Sequence, residues 1–325
     1  MLAIILLPLC QKPECRRKPL HEKPAETTFN SMDNLKQAVI NKSRSYTACL
    51  SEAHRMLFDN IKVIFIRTWA YSLVLAMVSA LYLSLYIHAM LYGGGFGLAV
   101  MLCVATLAAI AAGTVFQARV MHLVNGRPMR WNLARCGILT ACCIVAGIVL
   151  IGVCAAVVFG IVASQQYATL ADMQPVFICL GGMSVVVALL MLPFVYTSMK
   201  YMMEPECKLR RMAAKTYAVG LRHWGLVFTA LFLAELCVIP CSLLVSLPMF
   251  IVLAANSYSV YGVNFIGDPT GLPSYFTAIQ AAVFTLTFFI WAYVNIFIVF
   301  VCYFLYGSIA TREKEKKEIA NELKG

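Results

Sequence analysis

Residues 224–255 read WGLVFTALFLAELCVIPCSLLVSLPMFIVLAA, from Trp224 to Ala255, with one charged side chain, Glu235. About 20 apolar residues suffice to cross a bilayer core as an α-helix. Continuous apolar sequence without period-two alternation selects a helix over a barrel strand, and only these two structures satisfy their backbone groups in lipid. Further runs of the same kind, at about 69–91, 96–118, 137–163, 175–199 and 275–307, bring the total to six predicted spans. Spans five and six are long enough to tilt, kink or protrude.

Of the 325 residues 61% are hydrophobic and 13% charged. Soluble chains carry roughly 25% charged residues, so a soluble globular protein is excluded. A formal net charge of +11 in a soluble chain would suggest nucleic acid; here it reads as juxtamembrane Lys and Arg, with no nucleic-acid partner. The loops after spans one, three and five contain neither residue. Arg119, Arg127, Arg130 and Arg135 follow span two, Lys200, Lys208, Arg210, Arg211, Lys215 and Arg222 follow span four, and Arg312, Lys314, Lys316, Lys317 and Lys324 follow span six. All 26 basic residues thus fall on one side, which the positive-inside rule assigns to the cytoplasm together with both termini. The simple pattern favours a bacterial inner (plasma) membrane.

Residues 1–31 begin with the apolar stretch Met1 to Leu9 and continue through Cys10, Cys15, Arg16, Arg17, Lys18 and Pro24. Charge follows the apolar core instead of preceding it, so this segment reads as disordered or as an over-extended start with Met32 as initiator, not as a secretory signal. From Asp33, Leu35, Val39, Tyr46, Leu50, Ala53, Leu57, Ile61 and Ile64 recur at helical spacing, while Lys36, Lys42, Arg44, Glu52 and Arg55 fill the other face. Residues 32–68 are therefore predicted as an amphipathic helix on the cytoplasmic surface. Residues 69–307 form the six-helix domain, and 308–325 a charged cytoplasmic tail.

Each hairpin of spans opens with a basic approach and an elbow at the membrane surface: Arg67-Thr68-Trp69, then Arg130-Trp131 running to Arg135-Cys136-Gly137, then Arg222-His223-Trp224. The pattern suggests three helical pairs in the same direction. A surface helix leading through such an elbow into a hairpin, three times over, resembles six-helix bacterial inner-membrane families of largely unknown function. Among them is the membrane domain attached to some glycerophosphoryl diester phosphodiesterases. The resemblance covers about residues 55–310 and implies the architecture alone. The middle elbow departs from it, and the chain carries no soluble phosphodiesterase domain.

The thirteen cysteines include no CxxC, so zinc and dithiol chemistry lack their spacing, and they read as small packing residues. HExxH, a Walker lysine and GxSxG are absent as well, which leaves hydrolase, phosphotransferase and metalloenzyme routes without support and implies no cofactor. His88, beside the outer interface, reads as a solvated rim residue.

Glu235 lies eleven residues past Trp224, about 16 Å into the membrane at the rise of 1.5 Å per residue. A carboxyl at such depth is costly and usually functional. Ser242 and Ser246 extend its stripe, and Pro240 can free a carbonyl. In span six Gln280, Thr287, Trp291 and Asn295 share one face, and Glu235 is expected to approach Asn295. Glu235, Ser242, Gln280, Trp291 and Asn295 are thus the candidate ligand-binding residues. Helix-to-helix glue is the competing role. The outward loop 256–274, with Tyr258, Tyr261 and Phe265, is a candidate lid.

The sequence thus describes an all-α polytopic integral membrane protein, three hairpins of transmembrane helices behind an N-terminal amphipathic surface helix. It is read as binding or transporting a lipid or small molecule between spans five and six; the alternative is a non-catalytic scaffold or assembly partner. Membrane lipids are the expected partners, with anionic headgroups at the basic loops contributing about 1 kcal/mol per charge. A homo-oligomer and a membrane partner protein both fit.

Overall fold

The computed structural model describes residues 42–164, 174–205, 209–263, 267 and 271–323. The segment 1–31 and the first part of the surface helix lie outside them, as do 264–266 and 268–270 of the candidate lid. The described residues form helices and no strand: α1 (Tyr46–Asp59), α2 (Ile61–Tyr92), α3 (Phe96–Asn125), α4 (Met129–Ser164), α5 (Gln174–Met203), α6 (Leu209–Arg222), α7 (Trp224–Tyr261) and α8 (Phe276–Glu322). Six of them, α2, α3, α4, α5, α7 and α8, are long and apolar enough to cross a membrane. The chain is an all-α, multi-pass integral membrane protein.

Helix α1 is amphipathic because Cys49, Ala53, Met56 and Leu57 bury one stripe. Its start is fixed by Ser45, whose Oγ accepts from the Ala48 amide at 3.3 Å. A single residue, Asn60, separates it from α2, and the Asn60 side chain donates back to the Met56 carbonyl at 2.9 Å. The third hairpin repeats this device. Helix α6 is also 14 residues long, and one residue, His223, bridges it to α7 with backbone angles (φ −103°, ψ 21°) close to those of Asn60 (φ −117°, ψ 9°). The middle hairpin lacks a surface helix. There Gly126, in the left-handed conformation at φ 65° that suits glycine, ends α3, and Pro128 stands just before α4.

Helix α8 is the axis of the bundle. Phe284, Phe300, Val301, Phe304, Leu305 and Ile309 on it are wholly buried, against α1, α2, α5 and α7. The 308–325 segment, as far as it is described, continues α8 as helix to Glu322. Arg44 ties the start of α1 to it: its amide donates to Ser308 Oγ at 2.9 Å, Ser308 Oγ donates to its carbonyl at 2.9 Å, and Arg312 donates to the same carbonyl at 2.7 Å. By contrast, the most apolar window of α4 has no buried residue.

Both remaining elbows are closed by polar side chains that donate to backbone carbonyls in α5 and just beyond its end. Arg135 donates to the carbonyls of Tyr201, Glu204 and Pro205, the acceptors that the end of α5 leaves unpaired. Its guanidinium also lies over the rings of Trp131 (4.1 Å) and Tyr201 (4.4 Å). Pro193 inside α5 has no N–H to give Leu189. The indole Nε1 of Trp224 donates to that carbonyl at 3.4 Å, and the Tyr217 hydroxyl donates to Leu190 at 2.9 Å. Gly220 lets α6 approach: a Cβ there would lie 2.6 Å from the Pro193 carbonyl oxygen.

Candidate functional site

A polar seam runs along the meeting line of α2, α7 and α8. Nearest the basic loops, the Tyr293 hydroxyl sits 3.3 Å from Thr68 Oγ1 and 3.2 Å from Ser72 Oγ. Both α2 side chains are wholly buried; Thr68 donates to the Ile64 carbonyl at 2.7 Å and Ser72 to the Trp69 carbonyl at 2.9 Å, which leaves their lone pairs to accept from the Tyr293 hydroxyl where lipid offers none. In the middle, Trp291 Nε1 donates to the Ser242 carbonyl at 3.5 Å, an acceptor that also takes the Ser246 hydroxyl at 2.6 Å. Phe284, Ala80, Met249 and Val252 then form an apolar plug.

Beyond the plug lies the far end of the seam. Asn256 Nδ2 donates to Gln280 Oε1 at 2.9 Å and to the Val252 carbonyl at 3.1 Å, while Gln280 Nε2 donates to Ser84 Oγ at 3.4 Å. Gln280 is buried at 8% exposure, and Asn256 carries the pair up to a cavity of about 250 Å³. Tyr92, Ser259, Ser274 and Thr277 line this cavity with hydroxyls, and Val260, Leu272 and Pro273 with apolar surface. Among the described residues no charged side chain lines it. The described lining offers donors and acceptors and no counter-charge, which suits a small, uncharged, hydrogen-bonding molecule.

The five residues expected to form a site therefore divide. Ser242 and Trp291 meet through backbone and indole, and Gln280 belongs to the amide pair at the mouth. Glu235 and Asn295 stand on the outside of the bundle. No hydrogen bond joins them: the Asn295 amide donates to the Trp291 carbonyl of its own helix at 2.8 Å. The hairpin's register gives the reason. Asn256 and Gln280 are equidistant in sequence from Asp268, and the same reflection places Glu235 level with Val301, six residues from Asn295, or about 9 Å along the axis. Tyr258 and Tyr261 belong to α7 and not to a loop.

Sequence reading passed over Asn256, Ser84 and Tyr293. Asn256 had a signal, since an amide mirrored by another across a turn is placed to pair. Tyr293 had none, because a tyrosine in an apolar run is indistinguishable from packing.

No protein-family model matches the chain, and comparisons with curated proteins and with solved structures return no match. The class defined by fold and seam is a multi-pass α-helical membrane protein with a polar cavity at one end of its bundle.

Proposed function

We propose that this protein binds a small uncharged molecule at the mouth between α2, α7 and α8, on the face opposite the basic loops. The observation that carries the reading is the Asn256–Gln280 pair beneath a cavity of about 250 Å³ whose described lining includes hydroxyls and no charged side chain. By the charge pattern the mouth faces away from the cytoplasm. Native mass spectrometry of protein released gently from membranes tests this. Wild type should carry a discrete small-molecule mass that Gln280→Leu loses; identical, ligand-free spectra for both would refute it.

A second reading, an assembly partner in the membrane, rests on different residues. Glu235 is exposed on the apolar outside of α7, where hydrocarbon penalises a carboxyl, and it makes no hydrogen bond or ion pair among the described residues. The unburied face of α4 adds surface of the same kind. The same spectra decide: a complex of two or more chains that Glu235→Leu dissociates supports assembly, and a monomer in both cases refutes it.

A further inference from the structure

On the outside of the bundle α2 and α8 leave a groove of about 440 Å³, lined by Trp69 and Leu73 of α2 and by Ala281, Ala282, Thr285, Leu286 and Phe289 of α8. Two of the residues that α8 presents to it, Ala281 and Ala282, are small. Antiparallel packing fixes its direction, since Tyr293 pairs with Thr68 and Ser72 and Gln280 with Ser84. Trp69 marks the end near the basic loops, and Ala281, beside Gln280 and so about level with Leu83, the end about 21 Å deeper at 1.5 Å per residue. The groove thus runs inward along the two helices from the side of the basic loops.

Lys62 completes the arrangement. It precedes Trp69 by seven residues on α2, so it lies on the same helical face about 10 Å nearer the headgroups. Its side chain is exposed and forms no ion pair among the described residues. A cation, an indole and an apolar groove in that order match a phosphate, a glycerol ester and an acyl chain. Trp favours the ester level, and Lys the headgroup level. We infer that this groove holds one phospholipid of the leaflet on the basic side, an acyl chain along Ala281, Ala282 and Leu286 and its anionic headgroup at Lys62.

Full-length protein reconstituted in vesicles of equal phosphatidylglycerol and phosphatidylcholine, then extracted into mild detergent, tests this by native mass spectrometry. Wild type should retain one phosphatidylglycerol per chain. Lys62→Gln should weaken retention about fivefold, the contribution of one basic residue at a membrane surface, and Ala282→Phe should abolish it by filling the groove. Both side chains are exposed, so neither change attacks the core. Equal lipid retention in all three proteins would overturn the inference. A phosphatidylglycerol with a photoreactive acyl chain gives a second readout: labelling concentrated in residues 69–92 and 276–290 supports the site, and labelling spread over all spans overturns it.

Discussion

The indole Nε1 of Trp224, first residue of α7, donates to the carbonyl of Leu189 at 3.4 Å, the acceptor that Pro193 leaves without a helical donor in α5. A break in one helix is thereby sealed by the elbow of another hairpin. Removing the indole N–H with Trp224→Phe should cost about 1 kcal/mol of stability. In a Pro193→Ala background, where the backbone regains its own donor, the same change should cost clearly less. Thermal unfolding of the four proteins in detergent closes the cycle.

Arg135 serves three carbonyls and lies over two rings at the other elbow. Lysine keeps the charge and loses both the fork and the stacking. Arg135→Lys should therefore destabilise by about 2 kcal/mol, the scale of hydrogen bonds to charged groups, and should raise hydrogen exchange at the end of α5.

Cys49 is wholly buried beneath the Arg44–Ser308 junction. Burial pushes its thiol up to about 11, against the opposing charges of Arg44 and Arg312. Near neutral pH its thiolate should be about 100-fold scarcer than that of an ordinary thiol, and it is the thiolate that reacts. Ser308→Ala, which removes both hydrogen bonds to Arg44, should accelerate alkylation of Cys49, read by peptide mass spectrometry.

Glu313 fastens the extension of α8 beyond the membrane to the α6–α7 elbow. Burial alone would push its carboxyl up. The hydrogen bond from His223 Nε2 at 2.8 Å and the charges of His223, Arg222 and Lys316 outweigh burial and hold it below the usual carboxylate range. A carboxyl depressed in the folded state stabilises that state above its unfolded value. The stabilisation is lost as pH falls through the folded value, so the junction should loosen below about pH 4.5. Hydrogen exchange of residues 309–322 should rise over that interval in wild type and show no such step in Glu313→Gln.

The spans were legible because lipid imposes a long, simple requirement, and the surface helix because Ala53 and Leu57 lie in a pattern at helical spacing; Cys49 and Met56 complete the buried stripe, while Tyr46 and Ile61 of that pattern are exposed. The one-residue bridges at Asn60 and His223 were not. They depend on where surface packing ends, and α2 begins at Ile61, eight residues before Trp69. Glu235 drew attention because charge is rare in hydrocarbon, yet rarity does not say which way a side chain points. The helices' lateral packing decides that, and it turned Gln280 and Ser246 inward and Asn295 outward.

The mouth between α2, α7 and α8 is tested most directly by its accessibility from one side. Thr277 lines the cavity and is itself exposed. Thr277→Cys in intact cells should react with a membrane-impermeant maleimide from outside, well above the wild-type background. Labelling seen only in inside-out vesicles, or in neither preparation, would contradict a solvated site on the face opposite the basic loops.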